Sequence, residues 1–323
     1  AMGLRNALLA NLERAVTCSN KQEQQELLNI VVVGGGATGV EVAGVLSEMK
    51  KFVLPNDYPD MPSSLMHIYL IEAGPRLLAG MSEESSAHAE QFLREMGVNI
   101  LLNKRVVDYR DHKVVLEDGT EIATRTFIWV SGVTGVTIGN LDASLIGRGG
   151  RIKVDSFNRV EGMNNVFAIG DQCIQVADED YPNGHPQLAQ VAIQQGELLA
   201  KNLIRMEKGR EMKPFHYRNL GSMATVGRNR AVAEFSKVKM QGWFAWVMWL
   251  VVHLRSILGV RNKVIVLLNW VWNYFTYDQS MRMIVYACKA KEIRDREKVE
   301  ETTHWGKELV QEEKNPSITS SSK

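Results

Sequence analysis

The chain has 323 residues, 45% apolar and 23% charged, an ordinary globular composition with room for about two domains and a sizeable core. Its 38 basic and 37 acidic side chains leave a formal net charge of +1, which implies no general attraction to nucleic acid. Cys18, Cys173 and Cys288 are widely spaced and form no CxxC, which argues against a zinc ribbon, a local redox dithiol and a disulfide framework.

Residues 4–16 predict a helix, with Leu4, Leu8, Leu9 and Leu12 at helical spacing. Charges at Arg5, Glu13 and Arg14 make it amphipathic and unlike a signal peptide. The polar stretch 19–26 reads as a link to a strand at 29–33. Glycines follow, then a helix to about Met49. Residues 54–64 carry three prolines and predict a loop. A strand is expected at 67–72 and a helix from Ser82, a plain cap, to Gly97, a C′ glycine. Beyond a strand at 98–102, the turns "RDH" and "EDG" between short β-branched runs predict a small antiparallel meander, followed by a strand at 126–130. Residues 29–131 therefore predict a parallel nucleotide-binding sheet whose last crossover is a meander. From about residue 151 the pattern changes. "NVFAI" (165–169) predicts a strand, 185–207 a long helix, and 214–235 strand-like runs broken by glycines. Five of the seven tryptophans fall in 243–272. The end, from about Lys289, reads as a solvated, disordered tail.

Gly34, Gly36 and Gly39 form G-x-G-x-x-G between an apolar strand and a helix. The first glycine permits the tight turn, the second lets the backbone approach a pyrophosphate, and the third permits close packing of the helix. The pyrophosphate would lie on the helix N-terminus, with Ala37 and Thr38 counted among the cofactor contacts. Glu72, at the end of the next strand, would accept from the adenosine ribose 2′-hydroxyl and repel a 2′-phosphate, favouring NADH over NADPH. Its spacing exceeds the usual value of about 20 residues, an excess assigned to the proline loop. "VFAIGDQ" (166–172) places Asp171 and Gly170 after a predicted strand, a position suited to binding a polyol hydroxyl.

Together these motifs resemble the two-dinucleotide-domain flavoprotein reductases, and more closely type II NADH dehydrogenase (NADH:quinone oxidoreductase). The resemblance rests on "GGGATGVEVAG", "IWVSGV" (128–133), "FAIGD" (167–171), "AQVAIQQG" (189–196), "GSMATVGR" (221–228) and the stretch 253–278, and covers nearly all of residues 4–288. It implies FAD and NAD as cofactors. Asp171 and Gly170 would hold the flavin's ribityl chain. Ala189, Gln190, Ala192 and Gln194 would lie beside the isoalloxazine and the quinone, with Gln190 and Gln194 as catalytic residues alongside Glu41, placed near nicotinamide and flavin. Gly132 and Val133 would border the NADH channel. The implied reaction passes hydride from NADH to FAD and two electrons to a membrane quinone, without proton pumping. In the resembling family an earlier glycine turn holds the flavin's ADP half. This chain has none before residue 29, so it is expected to be N-terminally truncated and to bind FAD poorly.

The organisation expected is thus a linker helix (1–28), a Rossmann-like NADH domain with a three-stranded meander (29–150), part of an FAD domain (151–210), a membrane-associating region (211–288) and a tail (289–323). "WFAWVMWLVVHL" and "VIVLLNWVWNYF" are each shorter than the roughly 20 apolar residues that span a bilayer. With Arg255, Arg261 and Lys263 between them, they predict amphipathic helices in the membrane interface over 243–276, on the cytoplasmic face of a bacterial inner membrane. A buried hairpin or a homodimer interface is the alternative use of these runs. Two other functions stay open: a soluble NADH-dependent flavoprotein reductase, and a non-catalytic NADH-binding, membrane-associating fragment.

Overall fold

The computed structural model describes residues 2–136, 138–236 and 238–276. Cys288 and the predicted tail lie outside them. Asn11–Gln279 forms one compact unit, and residues 2–10 count with another. Helix α1 runs Met2–Thr17.

The polar stretch that follows is not a link but a second helix, α2 (Lys21–Leu28). Asn20 caps it, its side chain accepting from the N–H groups of Gln22 and Glu23 at 2.9 and 3.3 Å. Leu27 and Leu28 are its buried residues, too few to show as periodicity. Tertiary contacts hold it: Gln25 donates to the Leu65 carbonyl at 3.1 Å, and Glu26 pairs with Arg125 at 3.3 Å.

Strand β1 (Asn29–Val33) is buried along its whole length, as suits the middle of a parallel sheet covered on both faces. Helix α3 (Ala37–Glu48) follows. It does not stop near Met49. A π-helical segment, Met49–Val53, carries it into the short helix α4 (Leu54–Asp57), where Pro55 occupies the first turn. Proline is tolerated there because it has no N–H to leave unpaired, so the predicted loop begins only at Tyr58.

Strand β2 (His67–Ile71), helix α5 (Glu83–Glu95) and strand β3 (Val98–Leu101) come next. The meander is β4 (Val106–Arg110), β5 (Lys113–Leu116) and β6 (Glu121–Ala123), and β7 (Thr126–Trp129) returns to the sheet. The sheet order is β3-β2-β1-β7, with all pairs parallel. Val114, Leu116 and Ile122 of the meander pack against Val31, Val33 and Ile71 of the sheet. The meander thus covers a sheet face that a crossover helix would otherwise cover. This is the expected Rossmann-like sheet with a three-stranded meander.

Beyond it, β8 (Ile152–Lys153) and β9 (Cys173–Ile174) make a two-residue parallel pair. The strand predicted at 165–169 does not form. Phe167 makes a single antiparallel bridge to Arg159, and a strand exists only where a neighbour completes its ladder. The predicted long helix is α6 (Ala189–Glu207), shorter at its start. Residues 222–241 form an antiparallel sheet of β10 (Ser222–Gly227), β11 (Arg230–Phe235) and β12 (Val238–Gln241). Helices α7 (Gly242–Ser256) and α8 (Val260–Thr276) close the described chain. Among the described residues no helix is long and apolar enough to cross a membrane.

The β10–β12 sheet is locked to the parallel-sheet unit. Ser82, at the start of α5, donates its N–H to Glu234 of β11 at 3.0 Å and its hydroxyl at 2.5 Å. Arg230 pairs with Glu95, and Lys239 with Glu84, at 3.5 and 3.1 Å. Helix α3 lies so close to β10 that a Cβ on Gly44 would run into the Val226 carbonyl. Backbone cannot yield as a flexible side chain can. Gly44→Ala is therefore expected to destabilise the protein by about 1–3 kcal/mol, the usual range for overpacking, measured as a lower urea midpoint with an unchanged slope. An unchanged midpoint would contradict this close seating.

Candidate functional site

The three glycines differ in their surroundings. Gly34, directly after β1, has φ +117°, a region that favours glycine. A Cβ there would meet the Ser131 backbone at 3.0 Å. Gly39 lies on its own turn, where a Cβ would strike the Gly34 carbonyl. Gly36 has nothing within 4 Å of its Cβ position. It is the N-cap of α3 and offers no side-chain cap, so the first-turn N–H groups, at exposed Ala37 and Thr38, remain for an anion. Glu72 sits beside the turn. One carboxylate oxygen accepts the Gly35 N–H at 2.5 Å and the other the Gly74 N–H at 2.6 Å. The carboxylate thereby ties the end of β2 to the glycine turn. Gly132, with φ +83°, and exposed Val133 follow Ser131 along the rim of the same turn.

The second motif is a 3₁₀ turn, Gly170–Gln172. Gly170 has φ +65°, and its N–H donates to Gln195 at 2.7 Å. A Cβ on Gly170 would meet that of Ala192 at 3.1 Å, so the turn lies directly on α6. Asp171 is exposed, and its carbonyl accepts from Gln187 at 3.2 Å. Helix α6 starts at Ala189 without a side-chain cap. Gln190 and Gln194 each grip the irregular segment 218–221 by both ends of their amides. Gln190 donates to Gly221 O and accepts from Leu220 N–H, both at 3.1 Å. Gln194 donates to Arg218 O at 2.9 Å and accepts from its N–H at 3.1 Å. In this arrangement both amides are occupied as backbone clamps.

Glu41, expected near nicotinamide and flavin, lies on the exposed-to-half-buried side of α3 that faces the C-terminal helices. It projects from α3 to the floor of an apolar cleft of about 540 Å³. The walls are Trp243, Trp246, Leu250 and Leu254 of α7 with Leu267 and Trp270 of α8. Glu41 accepts from the Thr225 N–H at 3.4 Å. Burial pushes its carboxyl above the ordinary range, against the opposing pull of Thr225 and His253. Deeper along the same face, Glu48 accepts the Arg228 N–H, and the Arg228 guanidinium lies over the Tyr274 ring at 4.3 Å.

Sequence reasoning missed Gln195, Thr225, Glu48 and Arg228. Gln195 carried a signal, since it shares the buried face of α6 with Val191 and Asn202, and a glutamine on a buried stripe must have a polar partner. Glu48 and Arg228 carried none, being far apart in the chain. Among the described residues no group of three or more His, Cys, Asp and Glu side chains could hold a metal ion.

A parallel sheet, an open glycine turn and a carboxylate at the end of the second strand define a Rossmann-like α/β protein. The chain belongs to the pyridine nucleotide-disulphide oxidoreductase family, whose model matches residues 4–196, and residues 219–277 match the NDH2 C-terminal domain. It is similar to type II NADH:quinone oxidoreductase NdhA of Mycobacterium tuberculosis, at 35% identity over 84% of this chain and 59% of that one. It is also similar to the mitochondrial internal alternative NAD(P)H-ubiquinone oxidoreductase A1 of Arabidopsis thaliana, at 33% identity over 85% and 56%. The chain thus spans less than two thirds of the length of these relatives. The structure of NDH2 from Plasmodium falciparum in complex with NADH superposes with a TM-score of 0.76 at 20% identity, over 87% of this chain and 72% of that one, a likeness of fold.

The raised pKa of Glu41 has a consequence for stability. The unfolded chain ionises near the ordinary 4.5, before the folded one, so folding loses stability as pH rises from there through the folded pKa. Glu41→Gln removes that loss and can still accept from Thr225. Its melting temperature should exceed that of the unsubstituted protein near neutral pH and match it in acid. An equal difference at both pH values would disprove the linkage.

Proposed function

We propose that this chain carries the NADH-binding and quinone-facing parts of a type II NADH:quinone oxidoreductase that works on a membrane surface without pumping protons. The observation that carries the reading is helix α3. Its N-terminus is the open glycine turn, and Glu41, about 6 Å further along at 1.5 Å per residue, lies in the aromatic cleft under α7 and α8. One rigid element thus joins a site for a water-soluble dinucleotide to a site for an apolar substrate. The similarity to named NADH:quinone oxidoreductases supports it.

The glycine turn binds the pyrophosphate of NADH, and Glu72 takes the ribose hydroxyl while keeping the turn in shape. The residues at the second motif fit a flavin. Asp171 is exposed for a ribityl hydroxyl, and the uncapped start of α6 stands beside it. A bound FAD supplies hydride acceptance from NADH and delivery of two electrons to the quinone. Gln190 and Gln194 hold segment 218–221 against α6 and so shape the wall of the flavin site. Quinone reduction to the quinol consumes two protons. Glu41, whose burial makes it hold a proton to higher pH than an ordinary glutamate, is placed to give one to a quinone oxygen in the cleft. Helices α7 and α8 expose Phe244, Leu268, Trp272 and Phe275 and rest on the bilayer that dissolves the quinone. The same reading puts the protein on the cytoplasmic face of a bacterial inner membrane, with NADH in the adjoining water.

Protein loaded with FAD should oxidise NADH in a quinone-dependent way, read as loss of NADH absorbance. Glu41→Gln should slow quinone turnover by about 100-fold, the low end for a general acid, while NADH still bleaches the flavin. A protein that retains FAD and binds NADH yet transfers nothing to quinone would overturn the reading. At the other end of α3, Glu72→Gln keeps an acceptor for Gly35 but loses the charge. It should lower the preference for NADH over NADPH by about tenfold, as expected for about 1.4 kcal/mol, in paired binding titrations. An unaltered preference would remove Glu72 from cofactor choice.

A further inference from the structure

The α7–α8 pair has a one-sided charge. From Phe235 to Thr276 there are five cations, Lys237, Lys239, Arg255, Arg261 and Lys263, and no Asp or Glu, in a chain whose overall net charge is only +1. Lys239 has a protein partner, Glu84, at 3.1 Å. Arg255, Arg261 and Lys263 form no ion pair with a carboxylate among the described residues. They flank the turn between the helices. Arg255 is in the last turn of α7, and Arg261 and Lys263 open α8, whose first turn holds no acidic residue. A cation suits a helix C-terminus but opposes the macrodipole at an N-terminus, so Arg261 and Lys263 stand where helix stability alone would favour carboxylates. Between them lie Leu258 and Val260, 87% and 79% exposed, the most exposed large apolar side chains among the described residues. Exposed apolar residues, ringed by cations that meet no carboxylate among the described residues, match a surface that is apolar just beneath a layer of negative charge.

We propose that the α7–α8 turn is a docking site for anionic phospholipid. Leu258 and Val260 enter the acyl boundary, while Arg255, Arg261 and Lys263 bind headgroup phosphates. The assignment rests on the membrane reading above and adds the lipid class. It makes attachment selective for acidic membranes and orients the cleft, because the tip of the hairpin is held at headgroup depth.

Co-sedimentation of the full chain with vesicles tests it, using phosphatidylcholine alone and phosphatidylcholine mixed with phosphatidylglycerol. Three cations near a charged surface should strengthen partitioning onto the anionic vesicles by about 100-fold, and added salt should erode the difference. The triple variant Arg255→Gln, Arg261→Gln, Lys263→Gln should bind both vesicle types alike, at the level of the unsubstituted chain on phosphatidylcholine. Lys239→Gln should retain the preference. Inorganic phosphate should compete no better than chloride at equal ionic strength, and stronger competition would reassign the site to a free anion. Equal binding of the unsubstituted chain to both vesicles, or a triple variant that keeps the preference, would overturn the proposal and leave membrane attachment intact. Absence of binding to either vesicle would defeat the membrane reading itself.

Discussion

Helix α3 meets bare backbone on two sides. Gly39 lies on the Gly34 carbonyl and Gly44 on the Val226 carbonyl, so neither contact has room for a methyl group. The first seats the helix on the strand that ends in the glycine turn. The second seats the β10–β12 sheet on the helix, and with it the helices α7 and α8 that continue from that sheet. Moving α3 away to admit a side chain would open the dinucleotide turn at one end and the aromatic cleft at the other. The proposed path from NADH to quinone thus depends on one closely packed helix.

Partly buried polar bonds then fix what α3 has brought together. Glu72 holds the glycine turn through two backbone N–H groups, and Glu234 holds the start of α5 through Ser82. Glu48 takes the Arg228 N–H at the hairpin between β10 and β11. Each is a carboxylate accepting a charge-assisted bond across elements far apart in sequence, stronger than a neutral hydrogen bond. Glu41 is the exception. Its contact with Thr225 is long, at 3.4 Å, and burial raises its pKa. A carboxyl whose ionisation is poorly compensated at the floor of a cleft is a candidate for moving a proton.

Local periodicity carried the sheet well. The unbroken apolar run of β1, the β-branched runs of the meander and the cap at Ser82 all form as their patterns predict. It failed where order comes from elsewhere in the chain. Helix α2 has polar residues at six of its eight positions and owes its existence to Asn20 and to contacts with Leu65 and Arg125. The run 165–169 has strand composition but makes one bridge. At the site, the glycines, Glu72 and Asp171 were legible because their chemistry is local to a strand end. Gln190 and Gln194 were legible as residues of interest, but their engagement with segment 218–221 was not, since that segment follows a non-repetitive stretch that no pattern positions.

The sequence by itself determined the glycine turn, the carboxylate beside it, the parallel sheet with a meander crossover, and the two apolar runs too short to span a bilayer. These are set by backbone sterics and by hydrophobic spacing over a few residues. Only the tertiary structure decided that Glu41 lies under Trp243 and Trp246 and that Gly44 touches Val226. It alone showed that Leu258 and Val260 are exposed, beside three cations that meet no carboxylate among the described residues. The first two facts come from long-range packing, where a residue's environment is made by partners a hundred or more positions away, and the third from what the fold leaves uncovered.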